Sequence, residues 1–232
     1  MTRCIALLGG SFDPVHHGHV ALAELCARML RPDELRIMPA GQPWQKAGLQ
    51  AGDSDRIAML ELALAHASFP SGVKVAIDTR EIDRKTPTYT VETLRDVRAE
   101  LGPDASIVFV MGADQLQKLD TWRAWRQLFD LTNFAVAARP GYSLDNAGLA
   151  PAVAAEVAQR SATPDQVRAS PAGRVCLAHT LAVDISATAV RQALKLNAGL
   201  NTAAGTDSAA NAGACLAPQV LDYIQQHNLY KS

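Results

Sequence analysis

A chain of 232 residues, 48% apolar and 19% charged, is long enough to bury one substantial core and suits a single large α/β domain. Its formal net charge of −1 supplies no global basic field to draw it onto nucleic acid, so any phosphate must be met by a local cluster. No run approaches the roughly 18 apolar residues of a membrane span, and the scattered cysteines Cys4, Cys26, Cys176 and Cys215 form no C-x-x-C pair, so reduced thiols in a cytoplasm are expected rather than a zinc site or disulfide framework.

The first apolar run, residues 4–8, is ended by Gly9-Gly10; it is too short for a signal segment and reads as a buried strand. Leu22, Leu25, Cys26, Met29 and Leu30 then fall on one helical face. A second strand is predicted at 34–38, and Ile57, Leu60, Leu64 and, more loosely, Ala67 form the next helical face. Strands at 73–78 and 106–111 bracket a helical run from 91 to 101, and further strands are predicted at 134–138 and 174–178. The stretch 142–173 is rich in Ala, Pro and Ser, with one short helical run at 150–160. Residues 197–215 are almost all Ala, Asn, Gly, Thr and Ser, which bury too little apolar surface to offset their ordering entropy; a mobile surface insertion is expected there.

Val- and Ile-rich strands alternating with helices imply right-handed crossovers. The expected fold is therefore α/β, a Rossmann-like, doubly wound, mostly parallel sheet with helices on both faces. In such sheets ligands bind at the carboxyl ends of the strands, near the point where the strand order reverses.

The segment after the first strand is Gly9-Gly10-Ser11-Phe12-Asp13-Pro14-Val15-His16-His17-Gly18-His19. Gly9 and Gly10 permit a tight turn and close approach of a ligand to the backbone, and Gly18 does the same where the helix starts. A helix N-terminus offers unpartnered N–H groups and the positive end of a dipole. His16 and His19 add side-chain donors at one place, as phosphoryl and nucleotidyl transfer require. Neither G-x-G-x-x-G nor a Walker A sequence is present. The conjunction of strand, Gly-Gly, Asp-Pro, H-x-G-H and helix resembles the signature of the nucleotidylyltransferase superfamily, whose H-x-G-H holds a triphosphate.

Near the C-terminus, Ile185-Ser186-Ala187-Thr188-Ala189-Val190-Arg191 precedes a helical run through Leu194. Taken alone, Ser186 or Thr188 reads as a helix N-cap and Arg191 as a surface residue. Beside H-x-G-H, the segment matches the superfamily's second motif, a Ser/Thr-rich helix start whose arginine contacts ATP phosphates.

The middle of the chain carries Glu81-Ile82-Asp83-Arg84-Lys85-Thr86-Pro87-Thr88-Tyr89-Thr90, then Met111-Gly112-Ala113-Asp114, Leu119-Asp120-Thr121-Trp122 and Ala138-Arg139-Pro140-Gly141-Tyr142. The chain closes on Tyr223-Ile224-Gln225-Gln226-His227-Asn228-Leu229-Tyr230. Together these features resemble the bacterial nicotinate mononucleotide adenylyltransferases over most of the chain, from Ile5 to Tyr230. That resemblance implies transfer of the ATP adenylyl group to nicotinate mononucleotide, giving deamido-NAD and pyrophosphate, with Mg²⁺ accompanying ATP. It assigns catalysis to His16, His19, Lys46 and Arg191, and ATP binding to Gly9, Gly10, Ser11, Phe12, Gly18, Gly112, Asp114, Ile185, Ser186 and Thr188. It places the acceptor against Thr88, Tyr89, Thr90, Trp122 and Arg139, with Trp122 stacked on the pyridine ring. Backbone N–H groups around 88–90 and 122–123 would then receive the nicotinate carboxylate.

Plainer roles are open here: Asp114 as a cap of the next helix, and Trp122 and Trp125 as core anchors, which is the preferred reading for Trp125. His66, His179 and His227 belong to no constellation and read as structural or surface residues. The sequence departs from the family in three places. Pro43-Trp44-Gln45-Lys46 has Gln45 where the family carries histidine, Ser11 stands where threonine is common, and the 197–215 insertion is longer than usual. Rival readings are a phosphopantetheine or nicotinamide mononucleotide acceptor, a cytidylyltransferase, a non-catalytic nucleotide sensor, and a fragment of a class I aminoacyl-tRNA synthetase.

Overall fold

Six strands form where the apolar runs lie: β1 (Cys4–Gly10), β2 (Glu34–Pro39), β3 (Lys74–Ile77), β4 (Ser106–Gly112), β5 (Asn133–Ala137) and β6 (Val175–Ala178). They are seen in a computed structural model that describes residues 2–42, 48–84, 86–138, 148–178, 185–199 and 214–231. All five strand pairs are parallel, in the order β3-β2-β1-β4-β5-β6. The chain winds outward from β1 to β3, then returns to lay β4 beside β1, with Ile5 opposite both Glu34 and Ile107. The strand order therefore reverses between β1 and β4, whose last residues are Gly10 and Gly112.

Alternation along β1 shows how the sheet is covered on both faces. Cys4, Ala6 and Leu8 enter one core and Ile5 and Leu7 the other, all 2% exposed or less. On the first face lie α1 (His17–Leu30) and α2 (Asp53–Leu64). The second face is covered by α3 (Thr90–Leu101), α4 (Ala113–Leu116), α5 (Leu128–Leu131) and α6 (Pro151–Arg160). Returning to the first face are α7 (Pro164–Ala169), α8 (Ala187–Gly199) and α9 (Pro218–Gln226). This is the expected Rossmann-like doubly wound fold.

Several local expectations are corrected. The buried stripe of α1 is Ala23, Cys26, Ala27 and Leu30, while Leu22, Leu25 and Met29 are half-buried against Ala137 and Ala178. In α2 the buried stripe is Arg56, Met59, Leu60 and Ala63, one position back from the predicted face. Helix α7 was not predicted, although Thr163 and Gln166 form a capping box around Pro164 at its start. The helix expected to pass Leu194 runs on to Gly199, into the stretch expected to be an insertion loop; residues 200–213 lie outside the described ones.

Two polar clusters tie elements of the sheet together. Asn133 Nδ2 donates to the Ser170 carbonyl at 2.7 Å, and its Oδ1 accepts the Arg174 amide at 2.9 Å, tying β5 to the turn before β6. At the β2 side of the sheet, the Arg36 guanidinium donates to both Glu100 oxygens, and Arg80 pairs with Glu100 and Asp78. The Arg36 hydrogen bonds above all, with Arg80 beside them, hold the Glu100 carboxyl down to about 2. Cys4, Cys26, Cys176 and Cys215 are free thiols; burial pushes Cys176 up to about 11 and Cys26 higher still.

Candidate active site

The loop between β1 and α1 is held from several sides. Phe12 takes a left-handed backbone (φ 45°) although it is not glycine, and its ring is fully buried. A Cβ on Gly10 would stand 2.9 Å from that ring, so the absence of a side chain at Gly10 lets Phe12 fold back into the core. The edge of the Phe12 ring meets His19, with centroids 4.8 Å apart.

His16 is the N-cap residue of α1, with extended backbone, and His19 lies one turn in. Their rings stack with centroids 3.7 Å apart. The His16 amide donates to Nδ1 of His19 at 3.3 Å. A neutral imidazole that accepts through Nδ1 carries its proton on Nε2. His16 is 2% exposed and half-buried Gly18 packs beside it: a Cβ at Gly18 would be 3.1 Å from the His16 ring.

The same absent Cβ would lie 3.5 Å from the Ile185 carbonyl, so the second motif abuts the first. Ser186 Oγ accepts the Ala189 amide at 3.2 Å and is the N-cap of α8; Thr188 is not. Arg191 is not a free surface side chain. Its Nη1 donates to the Asp13 carbonyl at 2.7 Å and its Nη2 reaches Thr188 Oγ1 at 3.4 Å. Two helix starts, α1 and α8, are thereby joined beside the carboxyl end of β1.

Three anchors of this loop were not assigned a role from the sequence. Asp13 is 2% exposed; its carboxylate accepts the Gln50 amide at 2.8 Å, the Ala51 amide at 3.1 Å and the Tyr230 hydroxyl at 2.6 Å. Fully buried Arg56 donates through Nη1 to the Ser11 carbonyl at 2.8 Å and through Nη2 to Asp53 at 2.6 Å. The readable signal for Arg56 was a charge at the i, i+3, i+4, i+7 positions shared with Met59, Leu60 and Ala63. For Asp13 and Tyr230, at opposite ends of the chain, only the fold reveals the pairing.

On the β4 side, a Cβ on Gly9 would lie 3.3 Å from the Phe109 ring, and Phe109 meets Trp122 edge-on at 6.0 Å. Trp122 is half-buried, and its Nε1 is buried with no hydrogen-bond partner among the described residues. Trp125 is a core residue, 8% exposed and packed edge-on against Phe129. Asp114 is the second residue of α4 and not its cap; its Oδ1 lies 2.4 Å from where a Gly112 Cβ would be, so only glycine leaves it that position. Thr88 is 5% exposed, Tyr89 is the N-cap residue of α3 with the Arg123 guanidinium 4.6 Å from its ring centroid, and Thr90 opens the helix.

The Thr88 amide donates to the Gln42 carbonyl and the Trp122 amide to that of Leu119, so two of the amides expected to receive a carboxylate are already engaged. Nearby, burial pushes the Glu81 carboxyl up, against a hydrogen bond from Thr93. Lys46, with Gln45, and Arg139 lie outside the described residues, as does His179; His66 and His227 are at the surface. Among the described residues no group of three or more His, Cys, Asp or Glu is gathered as a metal site, and no helix is long and apolar enough to cross a membrane.

Comparison with known proteins agrees with this geometry. A family model described as cytidylyltransferase-like matches residues 7–193, from β1 into α8. A Herminiimonas arsenicoxydans protein named as a nicotinate-nucleotide adenylyltransferase is 52% identical over all of this chain and 99% of its own. One of the same name from Laribacter hongkongensis is 45% identical over 98% of this chain and 94% of its own. Among solved structures, Plasmodium falciparum nicotinic acid mononucleotide adenylyltransferase complexed with NaAD superposes with a TM-score of 0.70 at 18% identity, covering 98% of this chain and 97% of that one; it shows the shared fold. The chain belongs to the cytidylyltransferase-like family, and within it to the nicotinate-nucleotide adenylyltransferases.

Proposed function

We propose that this chain transfers the adenylyl group of ATP to nicotinate mononucleotide, forming deamido-NAD and pyrophosphate, a step of NAD biosynthesis. The observation that carries this reading is the junction of the α1 and α8 starts at the strand-order reversal, with Arg191 donating across it to Asp13. Two sets of first-turn amides and a guanidinium then serve one anion.

A phosphate oxygen of the acceptor attacks the α-phosphorus in line, forming a new P–O bond, while the bond from the α-phosphorus to the bridging oxygen breaks. Pyrophosphate leaves with Mg²⁺, which enters as part of the Mg-ATP substrate. The attacking phosphate is already ionised, so no general base is needed. His19, through Nε2–H, and His16 stabilise charge on the transferring phosphates, with Lys46 and Arg191 on the leaving side. Gly9, Gly10, Ser11, Phe12 and Gly18 shape the loop; Gly112, Asp114, Ile185, Ser186 and Thr188 complete the ATP site.

Trp122, through its ring, and Arg139 form the pyridine pocket with Thr88, Tyr89 and Thr90. With the Thr88 and Trp122 amides engaged elsewhere, and those of Glu92 and Thr93 donating to the Tyr89 carbonyl, the nicotinate carboxylate is left to the amides of Thr90 and Val91 at the very start of α3. The test is pyrophosphate release from Mg-ATP with nicotinate mononucleotide, nicotinamide mononucleotide or phosphopantetheine. Release should be fastest with the first. Equal rates on the first two would remove the carboxylate pocket, and no release on any would favour a nucleotide sensor.

A further inference from the structure

Tyr230 and Asp13 stand 217 positions apart in sequence, yet the Tyr230 hydroxyl donates to Asp13 Oδ1 at 2.6 Å in a buried setting. The backbone is bent to allow it: Tyr230 has φ 60° and Asn228 φ 54°, both left-handed and neither glycine. Attachment of the C-terminal segment does not need this hydroxyl. Val220 and Ile224 bury the apolar face of α9, and Tyr223 separately donates to Asp55 on α2 at 3.0 Å.

The hydroxyl meets an unusual acceptor. Asp13 Oδ1 also takes the Ala51 amide, Oδ2 takes the Gln50 amide, and the Asp13 main-chain carbonyl holds Arg191. One residue thus joins the β1–α1 loop, the segment just after Lys46 in sequence, Arg191 one turn into α8 and the C-terminal segment. We propose that Tyr230 is a positioning residue for the nucleotide: by completing the donor set of Asp13, it fixes the carbonyl that aims Arg191.

Without that oxygen, a buried carboxylate lone pair loses a donor and the carboxylate can rotate away from the two amides, carrying the Asp13 carbonyl with it. Burial above all, and then Asp13 itself, push the Tyr230 phenol far up, so the hydroxyl keeps its proton and remains a donor throughout the working pH range.

The inference rests on ATP being the bound nucleotide. The experiment compares wild type, Tyr230→Phe and Tyr223→Phe, the second removing another hydroxyl-to-carboxylate bond from the same chain end. Steady-state constants for ATP and nicotinate mononucleotide, thermal melting and calorimetric titration with a non-hydrolysable ATP analogue are measured for each. Tyr230→Phe should lower kcat/KM for ATP about tenfold and weaken the analogue similarly, as loss of one hydrogen bond to a charged group does, with the acceptor KM moving less than about twofold. Tyr223→Phe should change neither. Equal effects of the two variants, equal losses for both substrates, or no loss in Tyr230→Phe overturn the proposal. If wild type releases no pyrophosphate with any acceptor, the reaction assigned above fails, and the analogue titration alone decides the role of Tyr230.

Discussion

Arg56→Met tests whether a buried cation anchors the β1–α1 loop. Arg56 has no exposed surface, and its Nη1 donates to the Ser11 carbonyl inside the core. Methionine keeps much of the apolar stem and removes the guanidinium. Removing the buried Arg56 donor from the Ser11 carbonyl costs about 1–3 kcal/mol. The bond to Asp53 adds little, because that carboxylate is 54% exposed and well screened. Against this, methionine relieves the desolvation of the guanidinium, whose Nε has no partner among the described residues. The net expectation is a loss of about 2 kcal/mol, or roughly 4–8 °C in Tm for a domain of this size. At 25 °C, where the variant remains folded, kcat/KM should also fall, because Ser11 belongs to the loop that carries His16. The measurement is thermal melting together with steady-state kinetics. A variant as stable and as active as wild type would show that the cation is tolerated rather than used.

Replacing His19 with alanine should lower kcat about 10²–10³-fold, corresponding to about 2.7–4 kcal/mol for one donor on developing charge. Near-normal kcat at saturating Mg-ATP would refute the role given to its Nε2–H. Glu100 carries a pH signature. Its folded value of about 2 lies below the ordinary carboxylate value, so its stabilisation is complete above about pH 4.3 and is lost as pH falls toward 2. Because Glu100 is 43% exposed, screening reduces that contribution to about 1 kcal/mol or less. The Tm difference between wild type and Glu100→Gln should therefore be full at pH 7 and shrink between pH 4.3 and 2; a constant difference would refute the linkage. Gly41→Ala would place a Cβ 2.0 Å from the Glu81 carbonyl, backbone against backbone, and should cost about 1–3 kcal/mol, read as a drop in Tm. An unchanged Tm would mean that the two loops separate freely.

The sheet was legible because its signal is local: the inner strands β2, β1, β4 and β5 are buried on both faces and read as short apolar runs. Helix faces were less so. In α2, Arg56 occupies a core position because a long stem and two acceptors make its burial possible, which periodicity scores as a polar gap. The nucleotide motifs were legible as clusters of neighbouring residues. What bound them together was not, since Arg191 with Asp13, Tyr230 with Asp13 and Arg56 with Ser11 are contacts across the chain that no spacing encodes. Two of the amides expected to receive a carboxylate were misjudged for a related reason. A backbone N–H looks available in any sequence, and only the fold shows that those of Thr88 and Trp122 are engaged.

A buried carboxylate beside a proposed triphosphate site runs against simple electrostatics, and its surroundings explain why it is compatible. Asp13 accepts three hydrogen bonds on its side chain, from two amides and a phenol, so its charge is directed into the protein rather than toward a ligand. An asparagine would offer one acceptor oxygen and confront an amide N–H with its own NH₂ group. Only a carboxylate can gather donors from both the 50–51 segment and the chain end while its carbonyl holds Arg191. The two guanidiniums tied to this loop, Arg56 and Arg191, offset the negative charge at short range, where effective screening is weaker than in bulk water. A chain of net charge −1 can thereby present helix N-termini and one arginine to an anion, using an internal anion as the frame that orients them.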